Sequence, residues 1–261
     1  MGSFLWALSV LAITSAPAPL SRVELMGFTS DGGWAALETH ADGLAQLKLH
    51  RPNGTTTVLA TGSEAELLAK SARSGLTRSA PRQPGQRLPE GLVVEVSRVG
   101  GVGRPARTLV EVERDGDRVL LAELPSEGAI EAGELWLAPD QRSAILELRY
   151  DGRPNLLALD LNVAKAKLLV VGALRLARDG AIEEAAARLE LAVESAPGLG
   201  EPYYDLACLH ALLGDLDRAA AELRLALSID AGRYGRLAKK DPDLDGLRAE
   251  PELWASLLLG D

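Results

Sequence analysis

The sequence predicts an α+β protein of two domains, an all-antiparallel β domain followed by an array of paired α-helices. Three observations carry that reading. From Arg22 to about Leu161, apolar and polar residues alternate in short runs broken by Asx-Gly pairs, the signature of half-buried antiparallel strands. From Val163 onward the apolar period lengthens to that of a helix, alanine becomes abundant and turns retreat to the joints. Within this second region a pattern also returns every 34 residues: Ala173 as Ala207, Gly180 as Gly214, Ala185 as Ala219, Leu189 as Leu223 and Ala192 as Ala226. A fixed period of this length marks a supersecondary unit that cannot bury its apolar face alone and must stack on a neighbour. With 261 residues, 47% hydrophobic and 25% charged, the chain has the composition of a folded protein. The boundary falls near residue 162, giving a β domain over 20–162 and a helical domain over 163–261.

Ahead of both lies an almost unbroken apolar run from Phe4 to Ile13, followed by Thr14, Ser15 and alternating alanine and proline up to Pro19. It reads as a secretory signal over 1–18, which places the protein in the periplasm or outside the cell. The run is too short for a membrane span, which needs about 20 residues. The alternative is a buried N-terminal strand or helix, and then a cytoplasmic protein. The excess of Arg over Lys and the abundance of Ala and Leu point to a bacterial source.

Ten strands are expected: 23–28, 34–39, 45–50, 56–61, 92–98, 108–114, 118–123, 134–138, 143–149 and 155–160. Asp31-Gly32-Gly33, Asp42-Gly43, Asn53-Gly54, Asp115-Gly116 and Asp151-Gly152 separate several of them, and Asx-Gly between alternating runs favours tight hairpin turns with positive φ. Residues 63–74 suit a short helix. Residues 79–89, with three prolines and a glycine, suit an exposed loop. The glycines of Val99-Gly-Gly-Val-Gly-Arg-Pro approach phosphate-loop spacing, but Pro105 and an alternating run follow where that motif needs a helix.

Two hairpins echo each other. Asp31-Gly-Gly-Trp-Ala-Ala-Leu-Glu-Thr-His-Ala-Asp-Gly aligns without a gap on Asp140-Gln-Arg-Ser-Ala-Ile-Leu-Glu-Leu-Arg-Tyr-Asp-Gly. With one residue inserted the match continues into Leu47-Lys-Leu-His and Leu157-Ala-Leu-Asp. Together with Leu137-Ala-Pro-Asp, this resembles the blade repeat of bacterial periplasmic β-propellers. About 140 residues would furnish three blades where four is the usual minimum, so a propeller-like fragment and a sandwich both stay open.

In the helical domain each unit reads as helix, glycine turn, helix. Lys167 to Arg178, Asp179-Gly180 and Ile182 to Ser195 form the first, which Pro197 ends. Pro202 to Leu213, Gly214-Asp215 and Asp217 to Ile229 form the second. With Tyr203-Tyr-Asp-Leu-Ala, Ala219, Leu223 and Ala226 at its packing positions, this region is similar to the tetratricopeptide repeat (TPR), with units over 166–199 and 200–233 and a capping segment over 234–261. His210 stands where the family has tyrosine, and Ala231 where it has proline. The tail from Leu237 resembles the closing segment that follows the last repeat in bacterial members, with Leu244, Leu247, Leu253, Trp254 and Leu257 placed to cover the open end.

The resemblance implies a concave face that binds a protein or an extended peptide. It is made of Lys167, Val170, Leu174, Ala177 and Arg178 in the first unit and of Glu201, Tyr204, Cys208, Ala211 and Leu212 in the second. That face could equally pack on the β domain.

Other function classes have little support. A net charge of −9 leaves no basic field for nucleic acid or anionic membranes. One cysteine, Cys208, allows no internal disulfide and no thiol-based zinc site. His40, His50 and His210 are scattered, and no G-x-S-x-G elbow occurs. Asp241, Asp243 and Asp245 echo a calcium loop, but Pro242 intrudes and the glycine falls early. The expectation is therefore a non-enzymatic interaction scaffold of the bacterial envelope, with no cofactor or metal, which could be a subunit of a larger assembly. The alternative is a β domain for a small ligand or glycan, for which only Trp34, Trp136 and Tyr150 offer aromatic surface.

Overall fold

The computed structural model describes residues 20–101, 104–125 and 130–258; the expected signal segment and the last residues of the cap lie outside them. The chain divides into two compact units. One takes the residues up to Glu113 together with Leu120–Leu161, and the other takes Arg114–Val119 together with the chain from Asn162 onward. Antiparallel sheets fill the N-terminal part and helices the C-terminal part.

In the first unit, β1 (Leu20–Phe28), β2 (Trp34–His40), β3 (Ala45–His50) and β4 (Thr56–Gly62) form a meander in chain order, each strand antiparallel to the next. The helix α1 (Glu64–Ser71) starts from a capping box, in which Ser63 and Glu66 satisfy each other's end of the first turn. Its Leu67 joins Met26, Ala35, Leu37, Ala45 and Leu47 in one core. The proline-rich stretch contributes a two-residue strand, β5 (Pro81–Arg82), and a 3₁₀ turn at Pro89–Gly91. Three strands, β6 (Val93–Gly101), β7 (Arg104–Arg114) and β8 (Asp117–Pro125), make a second sheet. The third runs β11 (Arg153–Asp160), β10 (Ser143–Tyr150), β9 (Ile130–Leu137), β5.

The Asx-Gly pairs do what their chemistry dictates. Asp115 and Gly116, and again Asp151 and Gly152, all take positive φ, and a two-residue turn of that kind matches the twist of the strands it joins. The internal echo is structural as well. Asp31 receives the backbone N–H of Gly33, and 109 residues on Asp140 receives that of Arg142. The turn bonds Gly32 N–H to Thr29 and Gln141 N–H to Ala138 correspond in the same way. Further along, Ala36 pairs with Lys48 as Ile145 pairs with Ala158.

In the second unit, α2 (Leu161–Arg178), α3 (Ile182–Ser195), α4 (Gly200–Leu212) and α5 (Leu216–Ala238) follow one another, then a 3₁₀ turn at Pro242–Leu244, α6 (Asp245–Arg248) and α7 (Pro251–Leu258). The 34-residue spacing is kept by the backbone. Gly180 and Gly214 have φ of 84° and 80°. The N–H groups of Asp179, Gly180 and Ala181 bond to Arg175, Ala177 and Leu176, and those of Leu213, Gly214 and Asp215 bond to Leu209, Ala211 and His210. Only glycine takes this left-handed C-cap without strain. Even the break between units recurs, since Ala196 (φ −144°, ψ 79°) and Asp230 (φ −147°, ψ 87°) share a non-helical geometry.

In the helical unit one start differs clearly from expectation and one helix is followed by an unexpected continuation. The first helix begins at Leu161, because Leu161, Ala164 and Leu168 are all buried and extend the helical period back to the end of β11. In α5 the expected helix does end at Ile229, at the non-helical Asp230, but the Asp230 carboxylate accepts the Arg233 N–H and so starts a new helical stretch directly after it.

Two cores meet on α4. Ala166, Val170 and Ala173 of α2, Ala185, Leu189 and Ala192 of α3, and Leu206 and Leu209 of α4 form one. Tyr204, Ala207 and Cys208 of α4, Ala219, Leu223 and Ala226 of α5, and the capping residues Tyr234, Ala238, Leu244, Leu247 and Leu257 form the other. Alanine at the contact lines lets helices approach closely, while leucine fills the space between them. Replacing fully buried Leu223 by alanine is therefore expected to cost about 2–5 kcal/mol. The exposed Leu191→Ala should stay within about 0.5 kcal/mol of the parent, as read by chemical denaturation.

Candidate functional site

The ten residues expected on the binding face fall into two groups. Val170, Tyr204 and Cys208 are buried within the helical cores. Leu174 and Leu212 are exposed, at 38% and 55%. Arg178 is exposed with them, while Lys167, Ala177, Glu201 and Ala211 are half-buried.

Burial of Tyr204 and Cys208 follows from the capping segment. The chain turns after Lys240 so that Asp241 reaches α4. The Tyr204 hydroxyl donates to Asp241 Oδ2 at 2.8 Å, and the Cys208 thiol lies 3.8 Å from the same oxygen. The other carboxylate oxygen accepts the Asp243 N–H at 3.1 Å and opens the 3₁₀ turn. Tyr234 stacks on Tyr204 with ring centroids 5.5 Å apart. Its ring also lies over Gly200, where a Cβ would stand 2.4 Å from Cε2, so the start of α4 requires glycine. The segment thus covers the α4 part of the face at Tyr204 and Cys208.

This joint is rich in acid. Asp205 is pushed up to about 7, chiefly by burial and then by the nearby Glu201 and Asp241 charges, with Arg233 opposing. Its Oδ2 is buried and makes no hydrogen bond, so the protonated form suits the site. Burial, then Asp241, pushes the Tyr204 and Cys208 groups far up. Cys208, Asp241 and Asp243 bring potential ligand atoms within 4.8 Å of one another. Both oxygens of Asp241 are already engaged in holding the cap.

His210, the residue in the tyrosine position, is buried on α4. His40 and His50 stand opposite Leu20 and Trp34 respectively, at opposite ends of their sheet. His50 stacks on Trp34 with centroids 3.8 Å apart, and burial lowers it to about 4.

Sequence reasoning named the capping leucines but gave Asp241 no role at the face. Its signal, an acid within reach of a repeat tyrosine, depends on a chain reversal that periodicity does not encode. A second feature was also missed, a cleft of about 530 Å³ in the β unit lined by Trp136, Glu134, Glu147 and Arg149 among others.

No helix among the described residues is long and apolar enough to cross a membrane. Compared with family models, with curated proteins and with solved structures, the chain matches none.

The raised Asp205 fixes the sign of a pH effect. Its folded value lies above the ordinary 3.8, so the native state holds a proton that the unfolded chain has released. Its contribution is full below about 4 and is lost as pH rises towards 7. The helical unit should therefore lose stability across that window, and Asp205→Asn should flatten the slope in denaturation measured pH by pH.

Proposed function

We propose that the protein is a non-enzymatic interaction scaffold of the bacterial cell envelope, binding a partner protein or peptide through a short tetratricopeptide-like array. The observation that carries this reading is the 34-residue echo expressed together in turn geometry, hydrogen bonds and buried alanine and leucine positions. Such an array presents its first helices as a surface, and affinity there comes from apolar burial with charges at the rim choosing orientation.

The capping segment confines the surface to Leu174, Ala177 and Arg178 of α2 and to Ala211 and Leu212 of α4, with Lys167 and Glu201 beside them. Two exposed leucines flanked by half-buried alanines suit an aliphatic side chain from the partner. Tyr204, Cys208 and Val170 support the surface from beneath. The three antiparallel sheets and the 109-residue hairpin echo support a propeller-like fragment for the β unit. Export to the envelope rests on the apolar run from Phe4 to Ile13.

Leu174→Asp with Leu212→Asp tests the reading. Both side chains are exposed, so helical circular dichroism should persist while a photocrosslinker placed at Ala211 loses the partner it captures in the native cell. Capture of the same partner by the double variant would contradict the assigned surface.

A further inference from the structure

The two echoing hairpins of the β unit differ in charge at corresponding places. In the first, Glu38 on β2 is buried and takes the Lys48 ammonium of β3 at 2.5 Å, an ion pair whose side chains are 9% and 14% exposed. The structural equivalents are Glu147 on β10 and Ala158 on β11, as the strand registers show. Glu147 is buried like Glu38, but the neighbouring strand brings it no lysine. Its carboxylate instead receives Arg149 Nε at 2.9 Å, from a side chain 46% exposed, and the Glu134 N–H at 3.4 Å.

A second acid has been added beside it. The β9–β10 register slips between Leu146 and Leu148, so that Gly133 and Glu134 together oppose Glu147. A Cβ on residue 133 would stand 2.6 Å from Glu147 Oε2, so a larger residue there would push that carboxylate aside. Such a bulge re-aims side chains and is common beside functional sites. Opposite Glu38, at the place that corresponds to Glu134, the first hairpin has Val23. No hydrogen bond or ion pair reaches the Glu134 carboxylate among the described residues, and like charges opposite one another across strands are unfavourable without a cation.

Both acids open on the cleft of about 530 Å³, whose walls include Trp136, Leu25 and Pro154. This volume suits a small ligand. The other charged groups of the lining are Arg22, Glu24 and Arg149, so acids outnumber bases by three to two. Arg22 is held by Glu24 and Glu64 at 2.8 and 2.7 Å, leaving it no surplus charge for Glu134.

We propose that this cleft binds a primary alkylammonium group, carried by a free amine or by a lysine side chain, between Glu134, Glu147 and the Trp136 indole. The ammonium supplies the positive charge that Glu134 lacks, since Arg149 already pairs with Glu147. The methylenes lie along the apolar wall, as lysine stems do on protein surfaces, and the indole adds cation–π attraction. The site is independent of the helical surface, and its success or failure leaves that assignment untouched.

The test is a titration of the isotope-labelled full chain with cadaverine, with Nα-acetyl-lysine amide and with the neutral n-pentanol, following the Trp136 indole N–H. Cadaverine should give a saturable shift and n-pentanol none. Saturation by the lysine amide as well would point to a protein-borne ligand, and saturation by cadaverine alone to a free amine. Glu134→Gln, half-exposed and isosteric, should keep the fold and weaken cadaverine roughly tenfold or more, about 1.4 kcal/mol. Ala158→Lys, which restores the lysine of the first hairpin, should weaken it too. Absence of a saturable shift, an equal response to n-pentanol, or undiminished binding by Glu134→Gln would overturn the proposal.

Discussion

The closure of the last helix pair by the chain's own C-terminal segment is the constraint on which the helical unit depends. A helix pair with one face buried leaves the other open, and two units leave an open end with no third repeat to fill it. Here Tyr234 and Ala238, then Leu244, Leu247 and Leu257, complete the core that Tyr204, Leu223 and Ala226 begin. The Asp230 break makes this possible. It repeats the Ala196 geometry one period later, so the chain leaves the second unit along the path a third would have taken, then reverses after Lys240.

That solution has an electrostatic cost. Holding the reversal with Asp241 brings an acid to a face that already carries Glu201 and Asp205, while Arg233 is the base that acts on Asp205. Burial then favours the neutral form of Asp205, and the joint becomes sensitive to pH in a range where ordinary carboxylates are not. The same closure decides which part of the concave surface stays available. The α4 half is taken at Tyr204 and Cys208, and the α2 half with Leu212 remains.

Much of this was legible in the sequence because it is periodic or stereochemical. The 34-residue spacing predicted where helices turn, since a left-handed C-cap demands glycine at Gly180 and Gly214. Asx-Gly pairs placed the hairpins, and each of the ten expected strands is present. What escaped was aperiodic. The early start of α2 needed burial at Leu161 and Ala164, which follow a strand without a turn signal. The position of Asp241 against Tyr204 is a contact between residues 37 apart in sequence, made by a reversal that no repeat encodes. The bulge at Gly133 and Glu134 depends on pairing register, and a lone glycine in an alternating run does not announce it. The alignment of the two hairpins did contain the replacement of Lys48 by Ala158. Its meaning emerged only once Glu38 and Glu147 were seen to be buried alike.

Native-state hydrogen exchange on the intact chain tests most directly whether the capping segment and the second helix pair form one cooperative unit. If they do, the protected amides of Leu244, Leu247 and Leu257 will share a single opening free energy with those of Leu206 to Leu209 in α4 and of Ala219 to Leu223 in α5. Exchange of the capping amides at loop rates, with α4 and α5 still fully protected, would contradict it.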